Sequence, residues 1–239
     1  RNISFQYPNT NHKVLRDIKL FIPQGKTTAI IGSSGSGKTT LLKMLLKYHE
    51  PTSGETLLGN TDLRNISNHT WRSQCGVVSA DGFVFADTFL HNIALGADDV
   101  DFERVKLAAR VANLNEHIEN LPLGYHTPVS GDHGGLSQGQ KQRLLIARAV
   151  YKDPEYLFLD EGTNALDTQN QQIIMQNLRE YFRGRTMVIV AHRLSTIRHA
   201  DQIVVIEKGC IVEKGTHDEL IALQGRYFEL LTTQLEMAA

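Results

Sequence analysis

The stretch GSSGSGKT, residues 32–39, constrains the fold of this 239-residue chain more than any other. It matches the pattern G-x-x-x-x-G-K-[ST] in full, and it lies between a short apolar run, TTAIIG, and a segment with leucines at helical spacing, KTTLLKMLLKYHE. In such a loop, backbone N–H groups and the N-terminus of the following helix converge on phosphate oxygens. The sequence therefore predicts a buried strand, a phosphate-binding loop and a helix, in that order.

Strands alternate with helices along the chain, which predicts an α/β fold with a largely parallel sheet covered on both faces. The other predicted strands are NISFQY, LRDIKLFIP, YLFLDE, TMVIVAH and a hairpin in QIVVIEKGCIVEKG, with short strands and turns over 52–66. Between about 85 and 150 the pattern is helical, in DTFLHNIALG, DFERVKLAARVANLNEHIENL and QGQKQRLLIARAVYKD. TQNQQIIMQNLREYF predicts a further helix, and a capping-box pair, Thr216 with Glu219, begins the last one. A helical lobe is thus inserted into the sheet.

Composition argues against several classes of protein. Lysine and arginine number 25 against 26 acidic residues, so no net basic charge points to nucleic acid as the partner. No apolar run approaches the roughly 20 residues that cross a bilayer. Cys75 and Cys210 lie far apart without metal-ligand spacing, as expected of reduced structural cysteines. The chain begins at Arg1 directly before a strand, which we interpret as a domain taken from a longer protein.

Polar residues follow three of the predicted strands at the point where each ends. Lys38 would reach the β- and γ-phosphates of a nucleotide, and the Thr39 hydroxyl would bind Mg²⁺. Asp160, after YLFLD, suits the Mg²⁺ shell, and Glu161 suits the base that orients an attacking water. His192, after TMVIVA, would contact the γ-phosphate. Ligands bind at this edge of open α/β sheets, so the five residues predict one nucleotide site.

A second small polar loop, LSQGQ, opens a long helix far from the first loop in sequence. Ser137 and Gln140 form a capping-box pattern there, and the N-terminus of the helix would be ready for an anion. Because the first loop already binds the chain's own nucleotide, we interpret the second as a site that contacts ATP bound to a partner. An ordinary capped helix remains the alternative on these residues alone.

Taken together, these motifs resemble the nucleotide-binding domain of ATP-binding cassette (ABC) proteins over essentially the full chain. GSSGSGKT is similar to the Walker A motif, YLFLDE to Walker B, LSQGQ to the signature motif, NALD to the D-loop, and His192 to the switch histidine. Tyr7 resembles the aromatic residue that stacks on adenine, although a half-buried strand residue is the simpler reading of Tyr7 alone. The ATP-binding residues that the resemblance implies are Tyr7, Gly32, Ser33, Ser34, Gly35, Ser36, Gly37, Lys38, Thr39 and Thr40.

The resemblance also implies an architecture and partners. A P-loop NTPase core with an antiparallel β-subdomain, over 1–78 and 151–239, would carry a helical subdomain over about 79–150. Two such domains, here expected as a homodimer, would pair head to tail around two ATP molecules with Mg²⁺. The trans contacts to ATP would come from Ser137, Gln138, Gly139 and Gln140, and the D-loop residues would be Ala165, Leu166 and Asp167. Lys38, Glu161 and His192 would be catalytic in cis, and Thr39 and Asp160 would hold the metal.

The stretch GRTMVIVAHRLSTIRHADQIVVIEKGCIVEKGTHDEL resembles the exporter branch of the family, and bacterial peptide, bacteriocin or toxin exporters are the nearest group. Domains of that branch are fused to transmembrane helices and lie at the cytoplasmic face of the membrane. We therefore expect an ATPase that drives export of an unspecified cargo through ATP-dependent dimer closure and hydrolysis.

Three departures from the family pattern bear on that expectation. Where the family has the Q-loop glutamine, VVSADGFVF has Ala80, flanked by Ser79 and Asp81. Gln138 replaces the first glycine of the signature, and PVSGDHGG lacks the acidic pattern usual before it. Glu161 and His192 are intact, which favours a hydrolytic site. Two alternatives stay open: a soluble ABC ATPase acting on ribosomes or DNA, and a regulatory ATP switch that closes without hydrolysis.

Overall fold

A computed structural model describes residues 1–129, 135–160, 166–191 and 197–238. The chain divides into two compact units, one formed by Arg1–Cys75 with Gly184–Ala239 and the other by Gly76–Arg183. In the described ranges, no helix is both long enough and apolar enough to span a bilayer.

The strands, in chain order, are β1 (Ile3–Phe5), β2 (Leu15–Ile18), β3 (Thr27–Ile31), β4 (Leu57–Leu58), β5 (Thr61–Asp62), β6 (Cys75–Ser79), β7 (Tyr156–Asp160), β8 (Thr186–Val190), β9 (Gln202–Glu207) and β10 (Cys210–Gly215). The α-helices whose bounds fall within the described residues are α1 (Lys38–Leu45), α2 (Asn68–Ser73), α3 (Phe89–Ile93), α4 (Phe102–Val111), α5 (Asn115–Glu119), α6 (Gln138–Tyr151), α7 (Thr168–Tyr181), α8 (His217–Leu223) and α9 (Arg226–Ala238). Single 3₁₀ turns cover Leu63–Asn65 and Gly124–His126.

The first unit is built on a sheet in which the strands lie in the order β10-β9-β3-β8. β3 runs parallel to both β8 and β9, and β10 returns antiparallel to β9. Residues 29–31 and 203–206 are buried apolar residues with hardly any alternation, as expected where both faces of a parallel sheet are covered. The pairs β1–β2 and β4–β5 are antiparallel.

The second unit contains α3 to α7 and the neighbouring strands β6 and β7. The α4 face that contacts α6 is rich in alanine, with Ala108, Ala109 and Ala112 fully or almost fully buried. Small side chains let two helices approach closely, so α6, in which Leu144 and Ile146 are fully buried, can pack tightly on this face. The position of α6 therefore depends on its neighbours in this unit.

The predicted fold class is confirmed, including the mostly parallel sheet and the antiparallel strand pairs. The capping box of Thr216 with Glu219 is also confirmed, at the start of α8. The helix predicted over 101–121 is two helices, because the chain turns at residue 113 with a positive φ. Neither α2 nor β6 is predicted from the sequence, and the subdomain bounds stay a prediction.

Candidate functional site

The loop between β3 and α1 requires glycine at two positions for two different reasons. Gly32 has φ +150°, and a Cβ there would lie 2.0 Å from the carbonyl oxygen of Ile206 in β9. Gly37 has φ +106°, and a Cβ would lie 2.7 Å from a methyl carbon of Leu15. The glycines thus keep the backbone of the loop against the sheet while the chain reverses into α1.

Lys38, the first residue of α1, folds back over this loop. Its Nζ donates hydrogen bonds to the carbonyl oxygens of Gly32 at 3.0 Å and Ser33 at 2.9 Å. The residue is only 6% exposed, so an ammonium group is buried at the base of a loop of small residues. A buried ammonium group at the N-terminus of a helix adds to the positive potential that the helix end already carries.

The inner side of the loop fits a group that offers hydrogen-bond acceptors. Ser36 is 2% exposed, and in the described part of the chain its Oγ has no hydrogen-bond partner. Its backbone N–H bonds to the carbonyl of Ser33 at 3.2 Å, which closes the turn and leaves Ser33 and Ser34 exposed at the tip. An anion with several oxygens, such as a phosphate chain, suits this donor set.

Tyr7 lies beside the first turn of α1, where an adenine-stacking residue was predicted. Its Oη is 3.2 Å from the Oγ1 of Thr40, and its ring packs edge-on against Phe5 and His49. Thr40 is buried, so its hydroxyl contacts Tyr7, whereas Thr39 is exposed at the helix start. The structure thus brings together, within the first unit, all the predicted ATP-binding residues from 7 to 40.

In the second unit, the predicted signature residues begin α6, as the sequence indicates. The Ser137 side chain accepts from the backbone N–H of Gln140 at 3.1 Å, and the Gln140 Oε1 accepts from the N–H of Ser137 at 2.8 Å. This is a complete capping box. Ser137 and Gln138 are exposed, and Gly139 is half-buried, so the start of this helix faces outward from its own unit.

The amide nitrogen of Gln140 lies 3.2 Å from the Nε2 of His117 on α5. Burial and the nearby cation of Arg143 lower the pKa of His117, which favours the neutral imidazole that can accept from this nitrogen. His117 therefore fixes which way the amide of Gln140 points. The sequence does not indicate this contact, because 23 residues separate the two positions.

Three more of the predicted site residues, Asp160, Leu166 and Asp167, belong to the second unit and to the described part of the chain. Asp160 ends β7 and is half-buried. Leu166 is buried, and Asp167 is the N-cap of α7, where its carboxylate accepts from the N–H of Asn170 at 2.9 Å. Glu161, Ala165 and His192 lie outside the described residues, so their roles stay predictions.

The segment that follows β6, where the family has the Q-loop glutamine, is held in place by hydrogen bonds to its backbone groups. Ala80 is exposed, and the N–H of Gly82 bonds to the carbonyl of Ser79 at 3.1 Å. Arg148 on α6 donates to the carbonyl of Phe83 at 2.7 Å and to both the backbone and the side-chain oxygen of Asn92. These hydrogen bonds do not involve the side chain at position 80, and no sequence pattern predicts them.

Comparison with known proteins gives consistent results. The pattern of a family described as ABC transporter matches residues 15–164. The chain is 43% identical over 234 residues to YgaD of Bacillus subtilis (strain 168), an ATP-binding/permease protein whose name assigns it to multidrug export. It is 46% identical over 233 residues to SAS1788 of Staphylococcus aureus (strain MSSA476), a protein with the same description. Each alignment covers 98% of this chain and 40% of the relative.

Among solved structures, the chain is similar to a bacterial Atm1-family ABC exporter with ATP bound, with a TM-score of 0.93 and 35% identity. That match covers 98% of this chain and 41% of the exporter chain. This chain thus spans about two fifths of the length of the relatives that it matches.

Proposed function

The chain belongs to the ABC transporter family, and on that premise we propose that it is the ATP-hydrolysing module of an ABC exporter. The observation that carries the proposal is the loop over residues 32–37, with the buried ammonium group of Lys38 at its base and the ring of Tyr7 beside the following helix turn. Its shape and donors suit a nucleoside triphosphate, with phosphates in the loop and the base against the ring.

The proposed chemistry is transfer of the γ-phosphoryl group to water, in which the protein mainly positions groups and stabilises charge. Lys38 would turn from the loop carbonyls to the phosphates, and Thr39 with Asp160 would hold Mg²⁺. Bound Mg²⁺ would neutralise charge that develops on the phosphoryl oxygens. Glu161 would orient and polarise the water, and His192 would contact the γ-phosphate.

We propose that the second unit serves the nucleotide of a partner. The start of α6 points outward with a 14-residue helix behind it, and the capping box orders Ser137 and Gln140 before any ligand arrives. In a head-to-tail dimer of this chain, Ser137, Gly139 and Gln140 would face the γ-phosphate held by the other chain. ATP would then stabilise the closed dimer, and hydrolysis would release it.

Export is favoured over the two alternatives. The relatives that match over 98% of this chain are fused ATP-binding/permease proteins, which supports a transmembrane partner and a position at the cytoplasmic face of a membrane rather than action on ribosomes or DNA. Their names point to drugs as the class of exported substrate. Glu161 is present in the sequence, which favours hydrolysis over a switch that only binds ATP.

The proposal is tested by comparing two lysine variants of α1. Lys38→Ala should abolish ATP binding and phosphate release, because it removes the buried ammonium group from the loop. Lys43→Ala, an exposed lysine in the last turn of the same helix, is the matched control and should leave both unchanged. Phosphate release and nucleotide titration measure the two effects. Equal ATP binding by both variants would refute the proposal, and ATP binding without phosphate release by the parent chain would favour the regulatory switch.

A further inference from the structure

Asn113 follows the end of α4 in a conformation that asparagine tolerates better than other residues with a side chain. Its φ is +52°, its N–H bonds to the carbonyl of Arg110 at 2.9 Å, and the N–H of Leu114 bonds to the carbonyl of Ala109 at 2.8 Å. These two bonds form a Schellman motif, in which glycine is the usual residue. The backbone geometry alone therefore does not explain why an amide side chain stands here.

The amide of Asn113 reaches the segment that we assign to the D-loop. Its Nδ2 donates to the Oδ1 of Asn170 at 2.8 Å, and the Nδ2 of Asn170 donates to the Oδ2 of Asp167 at 2.6 Å. Asn170 therefore uses its oxygen toward Asn113 and its nitrogen toward Asp167, so its amide has one orientation. The side-chain and backbone hydrogen bonds that Asn170 donates to Asp167 lower the pKa of Asp167.

The carbonyl of Asn113 binds the signature helix. Arg143, six residues after Ser137, donates from Nη1 to this carbonyl at 2.8 Å. The Nε of Arg143 is buried and, among the described residues, has no hydrogen-bond partner. Arg143 is half-buried, and this burial lowers the pKa of its guanidinium. The contact with Asn113 is therefore an important anchor for the second turn of α6.

We infer that Asn113 is a positioning residue that fixes the D-loop end at Asp167 relative to the signature helix, so that both meet the partner's nucleotide site together. The inference rests on the proposed function, because only a dimer that shares ATP gives these two segments a common target. Asn113 is not needed merely to hold α7 on α4, since the Nδ2 of Asn177 on α7 separately donates to the carbonyl of Val111 at 3.2 Å. The packing of α7 on α4 thus has an anchor of its own.

Asn113→Gly tests this directly, because glycine keeps the left-handed backbone and its carbonyl and removes only the side-chain amide. Amide hydrogen exchange of the monomer should become about three- to tenfold faster at residues 166–170, which lose a hydrogen bond, and at residues 137–140, because the carbonyl that binds Arg143 is then held less firmly. Asn9→Gly is the matched control, since Asn9 is exposed and has φ +63° in the first unit. It should change exchange at neither segment. Acceleration confined to residues 110–115 would overturn the inference.

A pair of substitutions that reverses the polarity of the network provides a rescue. Asn113→Asp alone should accelerate exchange at both segments, because a carboxylate cannot donate to the oxygen of Asn170. Combining it with Asp167→Asn should restore slow exchange, since Asn170 can then rotate its amide, donating to position 113 and accepting from position 167. If exchange in the double variant is at least as fast as in Asn113→Asp alone, these hydrogen bonds do not position the two segments, and the inference is wrong.

The functional consequence is measured in the Glu161→Gln background with Mg-ATP. Asn113→Gly should leave the dissociation constant of ATP within about twofold of the parent and raise that of the dimer about three- to tenfold. Equal dimer affinity in both would overturn the functional part of the inference. If the Glu161→Gln parent itself stays monomeric, the proposed function fails, and the exchange experiment still decides whether Asn113 positions the two segments.

Discussion

The phenol oxygen of Tyr7 lies 3.2 Å from the hydroxyl of Thr40, which joins the end of the first strand to the first turn of the helix behind the phosphate-binding loop. The edge-on contact with His49 further restricts the ring. A nucleotide whose phosphates occupy the loop would thus meet an aromatic side chain already held in place. Little ordering of this side chain would then be needed when ATP binds.

Tyr7→Ala should weaken ATP binding about tenfold, because stacking of a base on an aromatic ring contributes about 1–3 kcal/mol. Tyr7→Phe keeps the ring and loses only the contact with Thr40, so its affinity should stay within about threefold of the parent. Titration with ATP and with inorganic triphosphate, which has no base, separates the effects. If Tyr7→Ala weakens triphosphate binding as much as ATP binding, Tyr7 supports the loop rather than the base.

Two glycines of the loop should respond very differently to alanine. Gly32→Ala forces a Cβ to within 2.0 Å of the Ile206 carbonyl, so the loop must move away from β9 and ATP binding should be lost. Gly35→Ala meets no atom within 4 Å, although φ is +74°, and should cost only about 1 kcal/mol of strain. Thermal unfolding and ATP titration of both variants check this. Similar ATP affinities in the two would contradict the geometry.

The two capping boxes provide a matched comparison between helix stability and function. Ser137→Ala and Thr216→Ala each remove a cap and should each cost about 1 kcal/mol of unfolding free energy. Only Ser137→Ala should also impair ATP-dependent dimer formation, because only that helix start faces a partner's nucleotide in our proposal. Denaturant unfolding and light scattering give the two readouts. Equal dimerisation by both variants would leave Ser137 with a capping role alone.

His117 should make stability depend on pH. Its pKa is lowered in the folded chain from the ordinary value of 6.5, so the unfolded chain binds the proton more tightly. The contribution of His117 is therefore fully present above pH 6.5 and is lost as the pH falls through the lowered, folded-state value. It follows that the urea midpoint should drop less between pH 7.5 and pH 5 in His117→Phe than in the parent chain. The control is His69→Phe, which removes an imidazole from an exposed position in the first unit.

Much of the first unit was predictable because its signals are local. The loop over 32–39, the buried strand before it and the helix after it follow from spacing and glycine content within about 20 residues. By contrast, α2 has a single buried side chain, Trp71, among polar residues, and β6 contains Gly76, so neither has a strong periodic pattern. The break of the predicted helix at Asn113 depends on a left-handed conformation that asparagine adopts only in some contexts.

The site was predictable in its parts rather than in its contacts. The loop, the capping box and the acidic strand end follow from residue types, whereas the partners of these residues depend on tertiary structure. Tyr7 and Thr40 are 33 positions apart, and Asn113 and Asn170 are 57 apart. No pattern within one element indicates such pairs, so the orientation of the signature glutamine and the link to the D-loop emerge only from the folded chain.

The central claim is that the start of α6 at Ser137 contacts ATP that is bound to a second chain. The most direct test is the solution mass of the Glu161→Gln variant by light scattering, with and without Mg-ATP. Removal of the proposed base should trap the state before hydrolysis, so we expect the mass of one chain without nucleotide and of two chains with saturating Mg-ATP. A variant that binds ATP and yet remains a monomer at every ATP concentration would contradict the claim.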